Sequence, residues 1–143
     1  MIKILFVCHG NICRSPMAEF ILKDMVKKAG REAEFEIASV AVSREELGNS
    51  VYPPARRELE KHGIACGVHR ARQITEADLA HFDHIYYMDG RNAQYLRRLF
   101  GHKAEKCKPL LNRDVADPYY CGGFDETFAD ITEGCRKIME ERA

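Results

Sequence analysis

The stretch Val7-Cys8-His9-Gly10-Asn11-Ile12-Cys13-Arg14-Ser15-Pro16 constrains this chain more than any other. Before it, residues 2–7 form an apolar run, Ile-Lys-Ile-Leu-Phe-Val, that reads as a buried strand. After it, Pro16 opens a strongly periodic segment that reads as a helix. A strand feeding a tight polar loop into a helix N-terminus makes an anion site, because unpaired backbone N–H groups and the positive end of the helix dipole converge on one point. A cysteine stands at the start of this loop and an arginine at its end. A thiol in such electropositive surroundings ionises readily. The loop therefore reads as a phosphate cradle with a cysteine nucleophile inside it.

Each residue of the cradle, 8–15, has a chemical reading and a plainer one. Cys8 would attack phosphorus as a thiolate and form a phosphocysteine; the alternative is a buried cysteine ending a strand. Arg14 offers a planar fork of donors matched to two phosphoryl oxygens. As a cation at a helix start it opposes the dipole, which itself points to a bound anion. Gly10 permits close approach of the backbone, and Asn11 tolerates the left-handed conformation that a cradle needs. Ser15 has two possible jobs, capping the helix or donating its hydroxyl to the Cys8 sulfur. His9, Ile12 and Cys13 complete the phosphate-binding loop.

Composition narrows the class. The 143 residues suit one domain over 1–143, with 45% apolar and 31% charged residues as in a globular protein. Basic and acidic residues balance at 22 each, which argues against a nucleic-acid surface. The apolar run at 2–7 is too short for a signal peptide, and no segment is long enough to span a membrane, so a cytoplasmic location is expected. Six cysteines, at 8, 13, 66, 107, 121 and 135, include no Cys-x-x-Cys pair, and the histidines do not fall at zinc-ligand spacings. Neither a disulfide framework nor a metal or other cofactor is expected.

Along the chain, Ser15 reads as an N-cap and Pro16 as the first helical residue. Met17, Phe20, Ile21, Leu22, Met25 and Val26 form an apolar stripe that ends at Ala29-Gly30. Residues 34–40 alternate as a second strand and 41–52 read as a loop. Pro53-Pro54 starts a surface helix running to about His62, with Leu59 inward and Gly63 closing it. Thr75 caps a short helix before a third strand at 84–88, and Asp89 caps a helix that ends at Gly101. Residues 106–111 read as a fourth strand, Asp117-Pro118-Tyr119-Tyr120 as a turn, and 124–142 as the last helix. Strands separated by helices imply a three-layer α/β/α fold with a central four-stranded parallel sheet, and the strand order expected of it is the flavodoxin-like 2-1-3-4. In such sheets ligands bind beyond the carboxyl ends of the strands, where the 8–15 loop lies.

The pattern Val7-Cys8-x-Gly10-Asn11-x-Cys13-Arg14-Ser15-Pro16 resembles the signature of the low-molecular-weight protein tyrosine phosphatases. Asp117-Pro118-Tyr119-Tyr120 resembles that family's general-acid motif, and the order of elements, the length and His62-Gly63-Ile64 match as well. The resemblance covers nearly the whole chain. It implies a phosphatase that passes through phosphocysteine, with Asp117 protonating the departing tyrosine oxygen; an expelled phenolate, of conjugate-acid pKa about 10, leaves slowly without that proton. Read without the resemblance, Asp117 is simply a turn former before proline. The resemblance also implies that Cys13 traps oxidised Cys8 as a disulfide, where the plain reading is a small residue packed under the loop. Ser39 and His62 correspond to family residues that brace Asn11, although a histidine in a last helical turn also suits the dipole. Tyr119 would line the pocket mouth with Ile12, and Tyr120 would pack. Substrates would be phosphotyrosine proteins or small aryl phosphates, the product inorganic phosphate, with no nucleic acid or membrane as partner and a monomer as the working state.

The chain departs from better-known members after the second strand. Val40-Ala41-Val42-Ser43-Arg44-Glu45-Glu46-Leu47 lacks the bulky aromatic that walls the substrate ring, and none follows before Tyr52. A related branch hydrolyses phosphoarginine, usually with threonine where Ile12 stands; the larger Ile12 suits an aromatic ring and favours tyrosine. Arsenate reductases share the fold but relay oxidation through further cysteines, and residues 73–100 contain none. A non-catalytic phosphate-binding or redox module would need no acid such as Asp117.

Overall fold

The computed structural model describes residues 1–121 and 123–142, without the side chains of Tyr120 and Cys121. Four strands, β1 (Ile2–Cys8), β2 (Phe35–Ala41), β3 (His84–Tyr87) and β4 (Cys107–Pro109), form one parallel sheet in the order β2-β1-β3-β4. Between and after them run helices α1 (Arg14–Lys28), α2 (Pro53–Lys61), α3 (Glu76–His81), α4 (Gly90–Phe100), α5 (Pro118–Cys121) and α6 (Phe124–Glu141). The expected α/β architecture and strand order are thus those observed.

β1 shows why the sheet is covered on both sides. Its even residues Ile4, Phe6 and Cys8 enter one core with Met17, Ile21 and Leu22 of α1, Leu59 of α2 and Ile131 and Cys135 of α6. Its odd residues Leu5 and Val7 enter a second core with Leu79 of α3 and Leu96 of α4. A strand apolar on both faces needs helices on both. The chain moves from β1 to β2 on one side, then crosses to β3 on the other, so the order reverses beside β1. A crevice opens at such a point beyond the strand ends.

Several boundaries differ from the sequence reading, each for a local reason. α1 begins at Arg14 rather than Pro16, its first turn closed by the Met17 N–H donating to the Cys13 carbonyl at 3.1 Å. Ser15 therefore lies inside the helix and does not cap it; Cys13 is the N-cap and makes no side-chain cap bond. β4 stops at Pro109, short of Leu111, because the chain turns there towards Val115 and the site. The turn at 117–120 winds into the helical turn α5, opened by Pro118 with Asp117 Oδ1 accepting the Tyr119 N–H at 3.0 Å. On α2, Glu58 is buried instead of exposed. By contrast, Thr75 and Asp89 both cap as expected, each in a reciprocal capping box.

One close approach fixes how α6 sits on the sheet. A Cβ built on Gly134 would lie 2.5 Å from Leu110 Cγ and 2.7 Å from its Cδ1. Gly134→Ala would gain about 1 kcal/mol of helix propensity, but overpacking typically costs about 1–3 kcal/mol. With the contact this close, overpacking outweighs the gain: urea unfolding should show Gly134→Ala less stable by up to about 2 kcal/mol, with the slope unchanged.

Candidate active site

The 8–15 loop wraps around the Cys8 sulfur. The Asn11 backbone N–H donates to Cys8 Sγ at 3.3 Å, and Ser15 Oγ lies 3.0 Å from it. This curvature requires Asn11 at φ +60°, the one non-glycine residue with positive φ among those described. Such a conformation costs a non-glycine residue about 1 kcal/mol or more, so it persists only if the surroundings hold it.

They do so completely. Asn11 is fully buried, and Nδ2 spends both its hydrogens, on Ser15 Oγ at 2.8 Å and Ser39 Oγ at 3.0 Å. Its Oδ1 accepts from the Arg72 N–H at 3.3 Å, and its carbonyl accepts from His69 Nε2 at 2.8 Å. A carbonyl can only accept, so that nitrogen carries the His69 proton. Ser39 Oγ in turn donates to the buried Glu19 carboxylate at 2.7 Å. Since the Asn11 amide occupies a lone pair of Ser15, the Ser15 hydroxyl proton is left for Cys8 Sγ or, at 3.3 Å, the Val40 carbonyl. A thiolate accepts and cannot donate, so with Cys8 ionised the hydroxyl is the donor.

Here the expectation for His62 fails. His62 pairs with Glu58 at 2.9 Å and stacks on Phe128 at 3.8 Å, far along α2 from the cradle. His69, seven residues on, holds Asn11 instead. Nothing in the sequence around 64–73 has a periodicity that marks it. Glu19 left a fainter signal, a carboxylate four residues after Ser15 within the apolar stripe of α1.

Arg14 is buried, and its guanidinium reaches two further loops, those after β3 and β4. Nη2 donates to Asp89 Oδ2 at 2.8 Å and lies 3.6 Å from Asp117 Oδ2, while Nη1 donates to the Val115 carbonyl at 3.1 Å. Burial works against the Arg14 charge, but the negative charges of Cys8, Asp89 and Asp117 outweigh it and hold the guanidinium above its ordinary pKa. For Asp89, burial is likewise outweighed, by the Asn92 and Arg91 N–H groups and by Arg14, so its carboxyl stays below the usual range. From sequence, Asp89 had only the role of a helix cap. Cys13 behaves differently: burial first, then the charges of Cys8 and Asp117, push its thiol up to about 12. It keeps its proton at neutral pH.

A cavity of about 480 Å³ opens over the cradle. Cys8, His9, Gly10, Ile12, Cys13 and Arg14 form its floor, and Asp117 and Tyr119 stand on its rim. Tyr119 is 68% exposed, and its ring lies 6.2 Å from that of Tyr52. Glu45, Glu46 and Tyr95 also line the cavity. An anion here would meet the open N–H groups of α1, a fixed guanidinium, a cysteine sulfur and a carboxyl able to pass a proton.

The sequence pattern of low molecular weight phosphotyrosine protein phosphatases matches residues 3–142. The chain belongs to this family. It is 40% identical to the low molecular weight protein-tyrosine-phosphatase YfkJ of Bacillus subtilis, over 97% of this chain and 94% of that protein. The human low molecular weight phosphotyrosine protein phosphatase is 37% identical, over 97% and 94%. The crystal structure of YfkJ superposes with a TM-score of 0.93 at 38% identity, covering 99% of this chain and 94% of that one. A Drosophila arginine phosphatase superposes with a TM-score of 0.85 at 29% identity, covering 99% and 98%.

The two histidines separate cleanly in a test. His69→Ala removes a donor from a buried carbonyl, a loss of about 1–3 kcal/mol, so kcat for an aryl phosphate should fall on the order of tenfold. His62→Ala should leave kcat within about twofold, since a half-exposed pair is worth under about 1 kcal/mol. Equal losses in steady-state assays would contradict the assignment.

Proposed function

We propose that this chain hydrolyses phosphotyrosine through a phosphocysteine on Cys8, as a phosphoric monoester hydrolase working as a single domain over 1–143. The observation that carries the reading is the convergence of Cys8, Arg14 and Asp117 on one cavity, although Asp117 comes from the far end of the chain. A phosphatase of good leaving groups could dispense with such an acid. One acting on tyrosine needs it.

In the first step the Cys8 thiolate attacks phosphorus and the bond from phosphorus to the phenolic oxygen breaks. The Arg14 fork and the N–H groups of the 8–15 loop hold the phosphoryl oxygens, where charge grows. Asp117, in its acid form, gives its proton to the departing oxygen. In the second step the Asp117 carboxylate takes a proton from water, the water oxygen attacks phosphorus, and the sulfur–phosphorus bond breaks. The Ser15 hydroxyl stabilises the leaving thiolate, and inorganic phosphate departs. Asn11 and Ser39 act only by holding the loop in shape. Ile12 and Tyr119 flank the space for an aromatic ring, and this favours tyrosine over arginine. Cys13, in the same loop, is placed in sequence to trap oxidised Cys8. No described helix is long and apolar enough to cross a membrane, and the substrates we infer are phosphorylated proteins and aryl phosphates.

Aryl phosphates of graded leaving group test this directly. Cys8→Ser should abolish turnover. Asp117→Asn should cost roughly 10²–10³ with phosphotyrosine and distinctly less with nitrophenyl phosphate, whose phenolate leaves more easily. A Cys8→Ser variant that still turns over, or an Asp117→Asn loss independent of the leaving group, would refute the mechanism. Phosphoarginine peptides should be poorer substrates than phosphotyrosine peptides of the same sequence.

A further inference from the structure

The wall of the cavity after β2 is built of carboxylates rather than an aromatic ring, and it is fastened to the cradle. Ser43 donates to the His9 carbonyl twice, through its N–H at 3.1 Å and its hydroxyl at 2.9 Å. Glu45 Oε2 lies 2.8 Å from His9 Nε2, and the His9 ring meets Tyr95 of α4 edge-on at 5.4 Å. Glu45 is thereby turned towards His9. Glu46 is not. Its stem crosses so close above Gly10 that a Cβ there would sit 3.2 Å from Glu46 Cγ.

The Glu46 carboxylate is oriented by Asn49 Nδ2, which donates to it at 3.3 Å. Among the described residues, no lysine, arginine or histidine pairs with it. Its charge reaches the mouth of the cavity: after burial and nearer groups, it is among the negative charges that raise both the Cys13 thiol and the Tyr119 hydroxyl. Arg91 also lines the cavity, but it is exposed at the start of α4. A side chain already held in place loses less freedom on binding, so Glu46 is the stronger selector.

We propose, resting on the phosphatase reading above, that Glu46 sets substrate preference: the enzyme favours phosphotyrosine peptides with a lysine or arginine beside the phosphotyrosine and disfavours those with acidic neighbours. A carboxylate beside a bound phosphoryl dianion is repulsive by itself. A cation on the substrate offsets that repulsion, and an anion adds to it. The leaving group is the same in every such peptide, so the preference lies in KM and leaves kcat nearly constant.

Matched phosphotyrosine peptides with lysine, alanine or glutamate neighbours test it, with nitrophenyl phosphate as the reference substrate. An exposed charge pair is worth under about 1 kcal/mol, so the basic peptide should exceed the acidic one by about three- to fivefold in kcat/KM at low salt. Glu46→Gln should bring that ratio close to one, Glu46→Lys should invert it, and Arg91→Ala should preserve it. Salt at about 0.5 M should also flatten it. No preference in the wild type, a preference for the acidic peptide, or a ratio indifferent to Glu46→Gln overturns the inference while nitrophenyl phosphate is still turned over. Failure to turn over nitrophenyl phosphate defeats the phosphatase reading instead.

Discussion

One buried guanidinium holds the site together. Arg14 ties the loop after β1 to the loop after β3 through Asp89, and to the loop after β4 through Val115 and Asp117. Desolvating an arginine costs several kcal/mol unless it is paired and its hydrogens are used. Asp89 meets that cost while itself capping α4. The pair therefore does structural and chemical work with the same charges. It fixes the plane of the guanidinium before any phosphate arrives, and it brings Asp117 near the group that would hold the substrate. A lysine could neutralise Asp89 but could not reach both other loops with a planar fork.

The cradle depends on a second network, of hydrogen bonds centred on the Asn11 amide. Asn11 is held left-handed by bonds from Arg72 and His69 and by its own bonds to Ser15 and Ser39, with Glu19 behind Ser39. All four polar functions of Asn11, counting the N–H that meets sulfur, have partners. Its neighbours are drawn from β2, α1 and the segment before α3. This explains why the loop can be strained and still rigid, and why Ser15 is free of the capping role that its sequence position suggests.

What the sequence conveyed and what it withheld follow the same division. The β1 run, the capping boxes at Thr75 and Asp89 and the Cys8-to-Arg14 loop are local patterns, and local patterns are legible. His69 and Glu19 act on Asn11 through the fold, from segments whose own spacing says nothing about the cradle. The resemblance points to His62 as a brace for Asn11, but its ring pairs with Glu58 and stacks on Phe128. Asp89 was legible as a cap, but its hold on Arg14 needed the β3 end to stand beside the β1 end. The carboxylate wall was visible as the absence of an aromatic after Ser39. That Glu45 turns to His9 while Glu46 faces the cavity was visible only in three dimensions.

The proposed chemistry stands or falls on Cys8 carrying the phosphoryl group. A rapid denaturing quench during turnover of an aryl phosphate, followed by trypsin and mass spectrometry, tests it most directly. Trypsin releases residues 4–14, which contain Cys8, His9 and Cys13 and no serine, threonine or tyrosine. This peptide should gain the mass of one phosphoryl group, and fragmentation should place it on Cys8. Turnover without a phosphorylated peptide, or a phosphoryl group on His9 or Cys13, would contradict it.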